Sequence, residues 1–375
     1  MNKFYIITSC LIILFSCQEN EINITESPTN GSELFDTFWL QMNVKYVYWD
    51  IDNTKWDETY NQYKPLFAKL DLNQIADLNQ AWHYFQEMTK GLIDCHYNIT
   101  FHNTLTPKYI FNPSLSRKQK KSNFHQIFNY NKIDINYLDI NYKIGNNNSL
   151  TTLCGTIEKR ILFFSCSEFN LYEAYHSKTS NTAQKTLQFF FNKLHNSPNT
   201  IKGIIIDIRG NHGGNLGDLN FFVGHFIDKK LHFGYTQIKN GNGRLDYTPW
   251  IKAYVNPEPD GKKIDLPIII LADMYSASLA EAVLMAFKTF PKCIFIGETT
   301  WGATGPLIKN DIYNSGQFKI DNFLSVAAAS CKFKYINGYI YEGIGYPPDI
   351  LIPYDENSII SNKDKQLEKA ISLIK

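Results

Sequence analysis

The chain has 375 residues, 44% hydrophobic and 19% charged, which supports a substantial core and excludes wholesale disorder. Its 37 Lys plus Arg nearly balance 36 Asp plus Glu, for a net charge of +1. No basic excess points to nucleic acid as a partner.

Residues 1–16 read as a targeting segment. Lys3 gives a basic start, and a mostly apolar run from Phe4 to Phe15 follows. That run is shorter than the about 20 residues of a spanning helix. The ending Leu14-Phe15-Ser16-Cys17 resembles a bacterial lipoprotein cleavage box, which implies lipidation at Cys17. Residues 17–31 read as a polar tether. The expected location is the bacterial cell envelope, lipid-anchored through Cys17, most simply at the outer membrane of a Bacteroidetes-type cell. Five further cysteines, Cys95, Cys154, Cys166, Cys293 and Cys331, form no even set and no Cys-x-x-Cys pair, so a complete disulfide framework is not expected.

Residues 32–91 read as a small helical module. Ser32 is placed to cap a helix with Leu34, Phe35, Phe38, Met42 and Tyr46 on one face. Trp56, Tyr60, Tyr63 and Phe67 predict a second helix, and Trp82, Phe85 and Met88 a third. Residues 92–160 read as a mixed strand and loop segment. Lys118-Gln119-Lys120-Lys121 reads there as a solvated basic loop rather than a recognition patch. From 161 to 360, apolar runs at 161–164, 204–208, 267–271 and 293–297 alternate with helical patterns. This predicts an α/β layer covered on both faces. Residues 361–375 close the chain with a helix.

Two turns after buried strands carry the candidate chemistry. In Asp207-Ile208-Arg209-Gly210-Asn211-His212-Gly213-Gly214, paired glycines permit close backbone approach and an anion nest. It is neither a dinucleotide loop nor a phosphate loop. In Asp273-Met274-Tyr275-Ser276-Ala277-Ser278-Leu279-Ala280-Glu281, a strand passes into a helix at Ser278. A hydroxyl there meets unpaired N–H groups, although Ser278 with Glu281 also reads as a capping box. The nine histidines are scattered without a metal-ligand spacing, so no metal and no cofactor are expected.

These two turns, followed by Ile296-Gly297-Glu298-Thr299-Thr300-Trp301-Gly302 and by Glu342-Gly343-Ile344-Gly345-Tyr346-Pro347-Pro348-Asp349-Ile350, resemble the S41 serine peptidases. That family includes the tail-specific (C-terminal processing) proteases and tricorn-like relatives. The resemblance spans about 161–352. It implies a crotonase-like (ClpP/crotonase) α/β core, Ser278 as nucleophile, and backbone N–H groups of Gly213 and Leu279 as oxyanion donors. The implied reaction is peptide-bond hydrolysis in exported peptides or unfolded proteins, through an acyl-enzyme.

The general base departs from the pattern. Processing proteases carry a lysine in a Thr-Phe-Gly-Lys-Gly context, and Ala303 occupies its place here. The tricorn-like branch uses a histidine near the position of Ser165, which has none, and a carboxylate that matches Glu342. His96, His212 and Lys309 are the candidate substitutes. The rival reading is a catalytically inactive peptide- or glycan-binding lipoprotein on the same scaffold.

Overall fold

The computed structural model describes residues 27–196, 200–308 and 315–375. Cys17 and the targeting segment lie outside them. The chain opens with three helices, α1 (Gly31–Lys45), α2 (Trp56–Phe67) and α3 (Ile75–Thr89). The first cap is Asn30 rather than Ser32: the Asn30 side chain accepts from the Glu33 N–H at 3.0 Å. Next come β1 (Asn98–Phe101), β2 (Tyr109–Phe111), α4 (Pro113–Lys118), α5 (Asn131–Asp134), β3 (Lys143–Asn147), β4 (Leu150–Ile157) and β5 (Ile161–Cys166). An α/β run follows with α6 (Leu171–His176), α7 (Thr182–Asn196), β6 (Gly203–Asp207) and α8 (Gly217–Gly224). It continues through β7 (Leu231–Gln237), β8 (Ile251–Val255), β9 (Ile268–Ala272), α9 (Leu279–Phe287) and β10 (Cys293–Gly297). The last elements are β11 (Phe318–Ile320), β12 (Leu324–Ala327), β13 (Lys332–Tyr335), β14 (Ile350–Leu351), α10 (Glu356–Ile360) and α11 (Lys365–Leu373).

The central sheet has seven strands in the order β14-β10-β9-β6-β5-β4-β3. β14, β10, β9, β6 and β5 run parallel, and β4 and β3 complete the sheet antiparallel. The continuous apolar runs follow from burial on both faces. Leu162, Phe164, Ile204, Ile206, Ile268 and Ile270 turn one way, into a core shared with α7, α8 and α9. Ile161, Phe163, Ile205, Ile269 and Leu271 turn the other way, against Leu367, Ala370 and Ile374 at the chain end. The period of two in side-chain direction therefore divides each strand between two cores.

The expected crotonase-like core is corrected by this topology. The sheet is open, with the two-residue β14 on one edge and β3 on the other. The remaining strands form two separate antiparallel sheets, β11-β12-β1-β2 and β13-β7-β8. The helices α1–α3 pack on the first of these through a core that includes Phe38, Phe85, Phe101 and Leu324.

Arg209 ties the end of β6 to the chain end. Its buried guanidinium lies 2.5 Å from Asp207, 2.7 Å from Asp364 and 3.4 Å from Asp134, and its carbon sits 3.5 Å from the Tyr130 ring centroid. Three carboxylates share this one cation, so its loss leaves uncompensated charge in the interior. Arg209→Leu is expected to destabilise the fold by about 3–5 kcal/mol in urea unfolding. A loss below about 1 kcal/mol would contradict that role.

The five cysteines at 95, 154, 166, 293 and 331 are all free and buried. Among the described residues, no helix is long and apolar enough to cross a membrane.

Candidate active site

β6 and β9 are parallel neighbours, so the two turns singled out in the sequence leave the same end of the sheet side by side. They are laced together. The Gly210 N–H donates to Asp273 Oδ1 at 2.9 Å, and the Ala277 N–H to the Asn211 carbonyl at 3.0 Å. The Ser276 hydroxyl donates to the Ile208 carbonyl at 2.8 Å. Ser276 is fully buried and its hydroxyl serves the turn. Ser278 is half-buried instead and holds φ +57° and ψ −120°, a conformation rare for a residue with a side chain.

Glu281 fixes that conformation. Its buried carboxylate accepts from the N–H groups of Ser278 (3.1 Å), Gly302 (2.7 Å) and Ala303 (2.7 Å), and from the Thr300 hydroxyl (2.5 Å). The Ser-x-x-Glu capping box is therefore extended into the loop after β10. Burial raises the Glu281 pKa, and these four donors oppose that rise.

Gly213 packs against the same point. A β-carbon there would lie 2.7 Å from the Leu279 nitrogen and 2.8 Å from the Ser278 Cβ, and its φ is +97°. Only glycine fits. Its N–H, however, donates to Asn211 Oδ1 at 2.8 Å. The Leu279 N–H, at the first position of α9, makes no backbone or side-chain hydrogen bond among the described residues.

Glu342 is 3% exposed and accepts from five donors: the N–H groups of Cys95 (2.7 Å), Thr304 (2.8 Å) and Gly305 (2.9 Å), and the hydroxyls of Tyr48 (3.0 Å) and Thr304 (3.1 Å). Asp94, His96 and Glu342 offer side-chain atoms within 4.8 Å of one another. Asp94 accepts from the N–H groups of His96 (2.7 Å) and Ala329 (2.8 Å). Burial pushes Asp94 up to about 8, helped by the charge of Glu342, and burial pushes Glu342 up to about 7. His96 is pulled down to about 4 by burial, and its Nδ1 is buried without a hydrogen-bond partner among the described residues. Cys95, next to it, packs with Ala277 and Ala303, which joins this group to the Ser278 turn.

The other candidates fall differently. His212 is exposed, edge-on to the Tyr275 ring at 6.3 Å. Lys309 lies outside the described residues. Lys118, read from the sequence as part of a solvated loop, is in fact 5% exposed at the end of α4, with its ammonium 4.7 Å from the Trp301 ring centroid. Burial lowers its pKa, and Cys95 and Glu281 are close enough to act on it electrostatically. Nothing in a Lys-Gln-Lys-Lys run distinguishes a buried lysine from its exposed neighbours.

Ser278 and Ala303 open on a cleft of about 400 Å³ whose walls include Leu219, Phe233, Ala282 and Phe333. A half-buried serine at the mouth of an apolar cleft, with an unpartnered N–H beside it, suits attack on a carbonyl.

Residues 166–350 match the model of peptidase family S41. That match covers just under half of the chain. Among curated proteins it is similar to the tricorn protease of Thermoplasma volcanium, at 28% identity over 46% of this chain and 14% of that one. It is similar to the carboxy-terminal processing protease CtpA of Bacillus subtilis at 27%, over 44% of this chain and 33% of CtpA. The nisin-resistance protein of Lactococcus lactis is 26% identical over 52% of this chain and 57% of its own. The chain thus spans well under two thirds of these relatives. Among solved structures, a candidate peptidase from Parabacteroides merdae superposes with a TM-score of 0.70 at 22% identity, over 92% of this chain and 97% of that one. Mature CPAF complexed with lactacystin superposes at 0.63 and 11%, over 92% and 98%. These likenesses bear on fold, and the shared architecture is the α/β fold of S41-related proteins rather than a crotonase-like core.

One histidine near this site gives a pH signature. His125 Nε2 lies 2.9 Å from Glu298 Oε2 and Nδ1 lies 2.8 Å from the Gln126 carbonyl, with the ring stacked on Tyr354 and edge-on to Tyr275. Burial works against its second proton, but the Glu298 carboxylate and the Gln126 carbonyl outweigh burial and raise its pKa above 6.5. The imidazolium then donates from both nitrogens. Its stabilisation is full below the unfolded value and fades as pH rises through the folded one. His125→Gln should therefore cost about 1–2 kcal/mol near pH 5.5 and clearly less near pH 8.5, read from denaturation midpoints. An equal loss at both pH values would count against the charged pair.

Proposed function

We propose that this chain is a serine peptidase of the S41 type in which Ser278 attacks the scissile carbonyl and His96 is the general base. The observation that carries the reading is the strained Ser278 at the head of α9, beside the unpartnered Leu279 N–H and open to an apolar cleft. Ala303 supplies no proton acceptor, so the base must come from elsewhere. His96 suits the role because burial keeps it neutral at pH 7, and the Asp94 and Glu342 carboxyls lie within 4.8 Å. Glu342 is read as the supporting carboxylate that stabilises the imidazolium once His96 takes the proton.

The Leu279 N–H is the oxyanion donor already open. The Gly213 N–H joins it only when Asn211 Oδ1 lets go, which substrate or a shift of the glycine turn would bring about. The substrate class is peptide or unfolded protein in the cell envelope, reached by a chain anchored through Cys17. The apolar walls of the cleft favour an apolar side chain beside the scissile bond. The occupied Gly213 N–H, together with Ala303, is what would favour the rival reading of a non-catalytic peptide- or glycan-binding lipoprotein.

The test is cleavage of a mixed peptide digest, with new termini read by mass spectrometry. Ser278→Ala should abolish cleavage. His96→Ala should lower kcat by roughly 10²–10⁴-fold, whereas His212→Ala should cost less than about 10-fold. Lys118→Met separates the buried lysine from the histidine: a loss there as large as in His96→Ala would move the base assignment to Lys118. Absence of cleavage by the folded wild-type chain would favour the binding protein.

A further inference from the structure

Away from the Ser278 cleft, the fold gathers a second group of donors that the sequence holds far apart. His195 lies in the last turn of α7, His225 caps the C-terminus of α8, and Asp260 lies in the turn between β8 and β9. Their side-chain donor atoms all fall within 4.8 Å of one another. His225 Nδ1 is 3.1 Å from Asp260 Oδ1, and His195 Nδ1 is 3.9 Å from Asp260 Oδ2. Zinc–nitrogen and zinc–oxygen bonds of about 2.0–2.2 Å set tetrahedral ligand edges of about 3.3 Å. The observed separations bracket that edge, so small side-chain rotations bring all three donors to one ion.

Two further observations point to a ligand. His225 is 3% exposed; its Nε2 has no hydrogen-bond partner among the described residues, and its Nδ1 faces only the Asp260 carboxylate there. Its ring is held by Phe191, with centroids 3.7 Å apart, and by Phe221 edge-on at 5.3 Å. His195 Nε2 lies 2.9 Å from the His225 carbonyl. A carbonyl can only accept, so the His195 proton sits on Nε2 and the Nδ1 lone pair faces the shared gap. That backbone contact is the outer-shell arrangement that orients metal-bound histidines. Asp260 is 63% exposed and leaves the group open to solvent on one side.

We propose that His195, His225 and Asp260 form a binding site for a zinc-type divalent transition-metal ion. Two imidazoles and a carboxylate suit such an ion and are a poor set for calcium or magnesium, which take oxygen ligands. Three protein donors leave a fourth position for water. The ion would join the ends of α7 and α8 to the β8–β9 connection, which makes its role a brace for the helical face of the sheet.

The test is calorimetric titration of the metal-free full chain with Zn²⁺, paired with Co²⁺ loading followed by visible absorption. One equivalent of Zn²⁺, a four-coordinate Co²⁺ spectrum and an upward shift in melting temperature are expected. Asp260→Asn alters an exposed residue and should fold normally, with metal-free melting unchanged. It and His195→Gln should each weaken Zn²⁺ binding by roughly 100-fold and remove the melting shift. His96→Gln should leave Zn²⁺ affinity intact. No binding by the wild-type chain overturns the proposal, as does affinity unchanged in Asp260→Asn and His195→Gln. Affinity lost only in His96→Gln also overturns it, because the ion would then sit at the Asp94–Glu342 group.

Discussion

Glu342 is a buried carboxylate solvated by protein instead of water. Taking a carboxylate out of water costs several kcal/mol unless donors replace the hydration shell. Here the donors come from three distant parts of the chain: Tyr48 after α1, Cys95 before β1, and Thr304 with Gly305 after β10. None of these segments can move away without exposing the cost of that burial. The helices at the start of the chain are therefore fastened to the α/β core at the candidate site. Asp94 extends the same device, because it holds the His96 N–H on one oxygen and the Ala329 N–H on the other.

Glu281 plays the matching part at the Ser278 turn. Its four donors connect the first turn of α9 to the loop at 300–303. The left-handed φ at Ser278 costs of order 1–3 kcal/mol and persists only where surrounding contacts over-determine it. The Glu281 bonds, the Gly213 contact and the Ser276 tie to Ile208 supply that over-determination. The two serines of Ser-Ala-Ser thus have opposite roles, one holding the turn and one presented by it.

The α/β core was legible because its signals are local. Strands buried on both faces must be apolar at every position, and the runs at 161–164, 204–208, 267–271 and 293–297 all became strands of one sheet. The two glycine- and serine-bearing turns were legible for a related reason, since each directly follows such a strand. What escaped is what depends on distant pairing. The sheet order that replaces a crotonase-like core is set by the edge strands β3 and β14, and β14 has only two residues. Cys95 and Glu342 are 247 residues apart, and no spacing rule joins them. The bond from Gly213 to Asn211 Oδ1 is local, but it depends on a side-chain rotamer that composition does not reveal. His195, His225 and Asp260 show the same limit: each looks ordinary in its own segment.

Ala303 can be understood from its surroundings rather than as a missing lysine. Its N–H donates to Glu281, and its methyl packs with Cys95, Ala277 and Trp301 in a small closed cluster. A lysine in this conformation would have to leave the cluster through the cleft or displace Cys95, and with it the neighbouring His96. On the proposed reading, the small side chain at 303 and a histidine at 96 are a matched pair. On the proposed reading, proton transfer has moved to a different element while the nucleophile turn has been retained. The buried Lys118 over Trp301 borders the same cluster, carried there by the end of helix α4 rather than by the loop at 300–305.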